Sequence, residues 1–388
     1  MKGHLRQRSN AWELRAYVGV DPITNRKKYL TRTFRGGKRE AGEALARFTT
    51  EVAGGGHAAQ DTTVGDLIRD WLSLARSDLS PTTVRGYDWI IEAYITPTLG
   101  KVPLAKLRTA QIDRFYAQLR EKGGQGGKPL SAATVHQVHA ILRRALHQAI
   151  RWGWIVDNPA ALASPPHVRS PRLSPPDPAA VIRLLEAAAE IDLDLAAFLH
   201  LAATTGARRG EVCALRWRDV DLITGSVLIS KSVVEAAHGV VVEKDTKTHS
   251  SRRIALDPGT VAVLSAQRDR IAVRAAACNV VLDDAGHLFS RDPDGARPWA
   301  PNDVTKAFIR VRNRVGLDSV RLHDLRHFAA TRMLVAGVPV RTVSGRLGHA
   351  NAATTLGVYA HFVEASDCDA ATTLGALLES QAPSRDMT

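Results

Sequence analysis

Cysteine is scarce in this sequence, and long apolar segments are absent. The three isolated cysteines, Cys213, Cys278 and Cys368, form neither a disulfide framework nor a paired zinc motif. No apolar run approaches the roughly 20 residues that a membrane-spanning helix needs. The basic, polar start of the chain lacks the apolar core of a signal peptide. These absences predict a soluble protein of a reducing cytoplasm that has no membrane partner.

The signatures of nucleotide-dependent and metal-dependent catalysis are also missing. The sequence has no glycine-rich phosphate loop and no carboxylate cluster of the kind that holds Mg²⁺. His323 and His327 have the i, i+4 spacing of a zinc-binding helix, but the accompanying glutamate is missing and no third ligand is evident. We therefore predict no bound metal and no other cofactor.

What the chain has in excess is positive charge, with a formal net charge of +13 over 388 residues. Residues 1–50 alone hold 12 Lys and Arg against 4 Asp and Glu. Such a surplus favours a polyanionic partner, with nucleic acid first and an acidic membrane surface second. Because the basic residues alternate within a strand-like pattern, nucleic acid is favoured over a solubilising tail.

The first 53 residues have the pattern of a small α+β domain. Residues 12–18 and 27–34 alternate like strands, and residues 38–52 have helical spacing before a run of three glycines. The prediction for residues 1–53 is a three-stranded sheet with one helix packed on it. The basic residues of its strands that are candidate DNA contacts are Arg15, Lys27, Lys28 and Arg32.

An all-helical domain is predicted at residues 61–164. Ser80 precedes a proline and is suited to cap a helix, a further helix is expected at 107–119, and Ser131 caps another that ends near Trp152. The last of these helices contributes two more candidate DNA contacts, Arg143 and Arg144. A proline-rich linker is predicted at residues 165–177.

A mixed, mainly helical domain is predicted at residues 178–375, with a tail at 376–388. The predicted helices are residues 178–190, 193–204, 209–216, 258–276, 301–315, 324–336, 339–346 and 351–358, and the predicted strands are residues 226–234, 239–243 and 252–256. The sequence thus predicts a multidomain fold with one small α+β domain, one all-α domain and one larger α+β domain.

Four short segments of this last domain supply an unusual set of side chains. They are TGARRGE, EKDTKTHSSRRIAL, HDLRH, and LGH followed ten residues later by a tyrosine. Taken singly, each has an ordinary explanation, such as a surface ion pair, a solvated lysine or a half-buried tyrosine. The candidate site residues in these segments are Arg208, Glu211, Lys247, His323, Arg326, His349 and Tyr359.

Together, these side chains are suited to transfer a DNA phosphodiester without metal or ATP. Two guanidiniums can clamp phosphate oxygens in bidentate geometry and stabilise the charge that develops at phosphorus. A tyrosine can attack phosphorus and form a covalent ester that stores the broken bond. Histidine can accept or share the tyrosine proton, and lysine can protonate the departing oxygen.

In order and spacing, the four segments resemble the tyrosine recombinase, or phage integrase, family. The resemblance covers nearly the whole chain. It implies that residues 12–52 are an arm-type DNA-binding domain, that residues 63–160 are a SAM-like helical core-binding domain, and that the last domain is catalytic. It also implies a site-specific recombinase that integrates and excises a mobile element or phage genome.

The same resemblance implies roles in binding the scissile phosphate. Arg208, in the T-G-x-R motif, and Arg326, in the H-x-x-R motif, would grip the phosphate. His349 of L-G-H would bond to it, and Glu211 matches the acidic residue that supports the first arginine.

Proton transfer and covalent chemistry are assigned by the resemblance as well. His323 would be a general acid or base, and Lys247, with Lys244 as the fallback, would be the general acid for the 5′-oxygen. Tyr359 would form the 3′-phosphotyrosine. Arg252 and Arg253, in the basic segment after Lys247, are candidate DNA contacts.

The implied partners are double-stranded DNA, with core and arm sites, and further copies of the chain in a homotetramer on paired sites. The further partners that the resemblance implies are a DNA-bending protein and an excision or directionality factor. Three alternatives are a type IB topoisomerase, a non-catalytic DNA-binding regulator and a metal nuclease. The arm-like first domain argues against a topoisomerase, and the complete residue set argues against a regulator, while a metal nuclease would lose its cleavage in EDTA.

Overall fold

In the computed structural model, the described residues are 3–8, 11–20, 27–53, 62–168, 174–236, 240–245, 251–349, 353, 355–356 and 367–380. The chain forms two compact units, Met1–Ser170 and Pro171–Thr388.

The first unit begins with the predicted three-stranded sheet and its helix. Strands β1 (Gly3–Arg8), β2 (Ala11–Val20) and β3 (Lys27–Phe34) pair antiparallel in that order, and helix α1 (Lys38–Ala53) follows. One sheet face is covered, because Leu14 and Phe48 of α1 are buried in a common small core. The opposite face, which we call the open face, carries the side chains of alternate residues such as Arg15.

The rest of the first unit is all-helical, as predicted. Its helices are α2 (Val64–Ala75), α3 (Pro81–Ile90), α4 (Thr96–Leu99), α5 (Thr109–Lys122) and α6 (Ala132–Arg151), with a short π-helical segment at Ile91–Ile95. Ser80 and Ser131 cap α3 and α6 by accepting hydrogen bonds from backbone N–H groups at 3.3 and 3.1 Å. Between the helices lies a separate core of aliphatic and aromatic side chains.

The second unit combines helices with two small sheets. Its helices are α7 (Pro178–Ile191), α8 (Leu193–Thr205), α9 (Arg209–Ala214), α10 (Pro258–Ala277), α11 (Pro301–Arg314), α12 (Asp324–Val335), α13 (Val340–Leu347) and α14 (Asp367–Ser380), and its strands are β4 (Val220–Asp221), β5 (Ser226–Ile229), β6 (Lys231–Glu235), β7 (Val241–Asp245) and β8 (Arg252–Ala255). Prolines at the first positions of α7, α10 and α11 begin those helices where the sequence predicted them.

One predicted strand, residues 226–234, is two strands in the structure. The strand is interrupted at Ser230. Strand β5 pairs with β4 and β8, while β6 pairs with β7 in a separate sheet. A continuous run of strand-forming residues does not reveal such a change of partner, because pairing is decided by distant segments. The predicted helix at 351–358 falls mostly outside the described residues.

The core of the second unit is one large apolar cluster. Phe198 and Phe289 stack edge to face with ring centroids 5.0 Å apart, and both are fully buried. This cluster holds α7, α8, α9 and α11 together, and it supports the ends of α8 and α9 where the candidate site lies. No helix of the described residues is long and apolar enough to cross a membrane.

Candidate active site

The first candidate arginine lies where α8 ends and α9 begins. Gly206 ends α8 in the left-handed conformation, with φ of 66°, and Arg208 is the residue before the first turn of α9. Glu211 accepts a hydrogen bond from the Arg208 backbone N–H at 2.9 Å and another from its Nη1 at 2.8 Å. The guanidinium is therefore oriented by a carboxylate one helical turn away.

Glu211 is almost completely buried, with 1% of its side chain exposed, and it binds a second arginine. Arg252, at the start of β8, donates from Nη2 to Glu211 Oε2 at 2.6 Å. Burial by itself would raise the pKa of Glu211, but the hydrogen bond and charge of Arg252, with those of Arg208, hold that pKa below its ordinary value. The carboxylate is thus ionised and shared by two guanidiniums.

Arg326 connects the ends of two helices. It lies on α12 with 3% exposure, and it donates from Nη1 to the Gly206 carbonyl at 2.7 Å and from Nη2 to the Leu347 carbonyl at 2.8 Å. Carbonyls at a helix C-terminus lack partners within the helix and carry partial negative charge, so a buried guanidinium is stabilised there. The contact joins α8 to α13.

His349 follows α13 after a sharp turn. Gly348 has φ of 69°, and His349 Nδ1 lies 2.8 Å from Thr355 Oγ1, a fully buried hydroxyl. Burial, and then the positive charges of Arg326 and Arg208, lower the pKa of His349 to about 4. The imidazole is therefore neutral at pH 7.

His323 stands at the N-terminal end of α12, one turn before Arg326. The centroid of its ring lies 4.9 Å from the centroid of the His327 ring, and the two ring planes are nearly perpendicular. His323 is an exposed residue, but neighbouring groups still desolvate its ring, and this desolvation, with the charges of His327 and Arg326, lowers the pKa of His323 to about 4. A second neutral imidazole thus lies within electrostatic reach of both candidate arginines.

The structure brings five of the seven candidate site residues into one region of the second unit. These are Arg208, Glu211, His323, Arg326 and His349. Lys247 and Tyr359 lie outside the described residues. The fallback lysine, Lys244, is described on β7 opposite Ser232.

The candidate DNA contacts have varied surroundings. Arg15 lies on the open face with its guanidinium 4.9 Å from the Tyr29 ring, whereas Arg32 pairs in register with buried Leu14 and lies over Phe48 on the α1 side. Lys27 and Lys28 are strand residues of β3 whose side chains are not described.

The other four candidate contacts lie on α6 and β8. Arg144 donates to the Tyr87 hydroxyl, and the Arg143 backbone carbonyl accepts from the Asn158 side chain at 2.9 Å. Arg253 donates to Ser226 Oγ at 3.0 Å, whereas Arg252 is 10% exposed and belongs to the arginine–glutamate cluster described above. Sequence reasoning did not place Arg252 in the site, because adjacent arginines on a strand point to opposite faces and the pattern does not say which face is inside.

Chemically, the site can hold an anionic group in a setting of fixed positive charge. Arginines clamp phosphate oxygens, and neutral imidazoles can accept protons or donate hydrogen bonds. Among the described residues, no three His, Cys, Asp or Glu side chains gather in a way that could hold a metal ion. The paired arginines and neutral imidazoles suit phosphoryl transfer that relies on guanidinium groups.

Comparison with known proteins places this geometry in a family. Residues 177–365 match the phage integrase family, and residues 63–120 match the N-terminal SAM-like domain of phage integrases. The chain is 25% identical over 338 residues to a protein named tyrosine recombinase XerC-like, from Caldanaerobacter subterraneus subsp. tengcongensis, with 82% of this chain and 84% of the relative covered.

Two solved structures show the same fold. The Tn1549 transposon integrase in complex with transposon right end DNA is 20% identical, with a TM-score of 0.67 over 83% of this chain and 100% of that one. A lambda integrase tetramer bound to a Holliday junction is 20% identical, with a TM-score of 0.54 over 90% of this chain and 94% of that one.

By class, the chain is a tyrosine recombinase, a DNA strand transferase. It belongs to the phage integrase family, because separate segments of the chain match the integrase domain and the SAM-like domain of that family. The predicted family, fold class and enzyme class are thus confirmed.

Proposed function

We propose that this recombinase is a site-specific integrase that cuts and rejoins DNA through a covalent 3′-phosphotyrosine at Tyr359. The observation that carries the proposal is that Arg208 and Arg326 meet at the end of α13. Arg208 donates to the Gly348 carbonyl, 140 residues away in sequence, and Arg326 donates to the Leu347 carbonyl, 21 residues away. Two guanidiniums fixed by buried partners are preorganised to bind a phosphodiester and stabilise its pentacovalent transition state.

His349 and His323 supply the proton chemistry in this proposal. Because both have pKa values lowered to about 4, they are neutral at pH 7 and can accept or share the proton of the attacking tyrosine. Attack by the Tyr359 oxygen forms a bond to phosphorus and breaks the bond to the 5′-oxygen, which takes its proton from Lys247. Reversal of these steps with a new 5′-hydroxyl rejoins the strands.

The open face of the first sheet is proposed to bind the arm-type DNA site. Its side chains include His4 and Arg6 of β1 and Arg15 of β2, with Tyr29 of β3 beyond them; His4 lies opposite Arg15, and Arg6 lies opposite Glu13. A narrow β-sheet fits the major groove, and arginines can contact both phosphates and base edges there. The SAM-like domain and the catalytic domain would bind the core site.

The active assembly is proposed to be a homotetramer on paired DNA sites, in the manner of the lambda integrase tetramer bound to a Holliday junction. We also propose that the enzyme acts in the cytoplasm, where a DNA-bending protein and a directionality factor assist the choice between integration and excision. The domains proposed for these tasks are residues 1–53, 61–164 and 178–375.

Covalent capture tests the nucleophile. The protein is incubated with nicked duplexes of randomised sequence, and adducts that resist denaturation are isolated and sequenced. We expect the wild type to capture DNA with and without EDTA, and Tyr359→Phe to bind DNA without forming an adduct. An adduct with Tyr359→Phe would disprove the assignment, and loss of wild-type cleavage in EDTA would favour a metal nuclease.

The same captured sequence allows the two lysines to be compared. Lys247→Ala is expected to slow cleavage of an ordinary duplex, and a 5′-phosphorothiolate at the cleaved bond is expected to restore the rate because its thiolate leaves without protonation. Lys244→Ala is the matched variant on β7. If the sulfur substitution rescues Lys244→Ala instead, the general acid is Lys244.

A further inference from the structure

We propose that Arg252 is a positioning residue that assembles the active site, by fixing Glu211 and the turn before His349 in one arrangement. The inference rests on the proposed function, because it concerns the same site. It differs from the role that the sequence predicts for Arg252, which is a direct DNA contact.

The contacts of Arg252 are directed into the protein. Its Nη2 donates to Glu211 Oε2 at 2.6 Å, and its Nε donates to the Arg346 carbonyl at 2.9 Å. Only 10% of the side chain is exposed. A planar guanidinium whose Nη2 and Nε hold a buried carboxylate and a helix carbonyl serves as a rigid bracket between them.

The far end of this bracket is the C-terminus of α13, where three arginines meet. The carbonyls of Arg346, Leu347 and Gly348 accept hydrogen bonds from Arg252, Arg326 and Arg208, at 2.9, 2.8 and 3.5 Å. These are carbonyls without partners inside the helix, and the negative end of the helix dipole favours cations there. One helix end thus sets the spacing of both phosphate-binding arginines, and Arg252 holds that end in place.

Close packing at Gly348 shows how tightly the bracket fits. A Cβ atom at Gly348 would lie 2.8 Å from Arg252 Nη1 and 3.0 Å from its Cζ. The guanidinium therefore lies directly against the turn that leads into His349. Its charge also contributes to lowering the pKa of His349, after burial and the charges of Arg326 and Arg208.

Arg252 also begins the strand that follows the proposed general acid in sequence. Lys247 lies five residues earlier, and five extended residues span at most about 18 Å. An anchored Arg252 therefore limits how far Lys247 can lie from Glu211 and the α13 end. Through one side chain, the Glu211 carboxylate, which also binds Arg208, is joined to the helix end that leads into His349.

The test separates positioning from DNA binding, with Arg252→Gln as the main variant and Arg314→Gln as the control. Arg314 makes an exposed ion pair with Glu190 at 2.7 Å, outside the site. Three quantities are measured on the duplex captured by the wild type: the Kd with its salt dependence, the single-turnover rate of adduct formation at saturating protein, and the pH profile of that rate. The thermal unfolding midpoint of each variant is recorded alongside.

We expect Arg252→Gln to keep its Kd and salt dependence while its saturated rate falls about 100-fold, since a misplacement of about 1 Å in a site costs roughly that much. The acidic limb of its pH profile should move to higher pH, because a positive charge near His349 is lost. Arg314→Gln should match the wild type. A wild-type saturated rate for Arg252→Gln, with a weaker Kd and a salt slope lower by about 1, would show a phosphate contact and overturn the proposal.

Two further measurements keep the proposal open to refutation. If Arg252→Gln does not fold, Arg252→Lys keeps a charge near Glu211 but replaces the rigid guanidinium fork with a single flexible ammonium group, and a wild-type rate for this folded variant would reject the bracket. If the wild type captures no DNA, the proposed function fails by itself. The His349 titration, followed by NMR in the free protein, then decides, since an unchanged His349 pKa in Arg252→Gln, which loses the positive charge, would contradict the geometry.

Discussion

Gly206 is the position at which a single methyl group should damage the site most. It ends α8 with φ of 66°, and its carbonyl accepts the Arg326 hydrogen bond. A Cβ at this position would lie 2.5 Å from Leu347 Cδ2 and 3.3 Å from the Ala329 Cβ, both of which belong to buried residues. Gly206→Ala therefore combines backbone strain with an overlap that has little room to relax.

The loss of stability expected for Gly206→Ala can be divided into backbone strain and steric overlap with a matched control variant, Gly316→Ala. Gly316 has φ of 68°, and a Cβ there would meet nothing within 4 Å. Both variants carry the left-handed strain of an L-residue, roughly 1–2 kcal/mol, and both lose similar freedom in the unfolded chain. The difference between them is the overlap, for which overpacking suggests about 1–3 kcal/mol.

Thermal unfolding measures this difference. For a unit of the size of Pro171–Thr388, 1 kcal/mol shifts the midpoint by about 2–4 °C, so this unit should melt several degrees lower in Gly206→Ala than in Gly316→Ala. Adduct formation should also fall only in Gly206→Ala, because the displaced carbonyl shifts Arg326. Equal melting midpoints, with equal adduct rates, would refute the role of this close contact.

Three further predictions concern the site and the first domain. Arg208→Lys should lose most adduct formation, because an ammonium cannot bond Glu211 and a phosphate through a planar fork. The melting midpoint should fall as the pH drops from about 6.5 towards 4, since unfolded histidines take protons near pH 6.5 while His323 and His349 stay neutral to about 4 in the folded state. Removal of residues 1–53 should preserve cleavage at the core site and impair directional integration.

Each of the three predictions would be contradicted by a specific experimental outcome. Near wild-type recombination by Arg208→Lys would contradict the two-pronged phosphate contact. For the pH dependence, the control is the double variant His323→Asn, His349→Asn, which should lose less stability on acidification than the wild type, and an equal loss would reject the assignment. Normal directional integration by the truncated protein would reject the arm-site proposal.

Local patterns were sufficient to predict most elements of the fold. Helices that begin with a capping residue and a proline, such as α3 and α10, start where predicted because these signals act within one turn. The prediction of a single strand at residues 226–234 was wrong, because the two halves of this segment pair with different strands. Strand β1 also had no distinct pattern of its own, and it is defined by pairing with β2.

The sequence by itself determined which chemical groups are available, because the motifs around Arg208, His323, Arg326 and His349 carry their residue types and order. It could not decide how they meet. The contacts that join Arg326 to Gly206, and Arg252 to Glu211, span 120 and 41 residues, and they join α12 to the end of α8 and β8 to α9. Only the tertiary structure places Arg252 inside, since burial of a charge depends on a carboxylate and a helix end that distant segments supply.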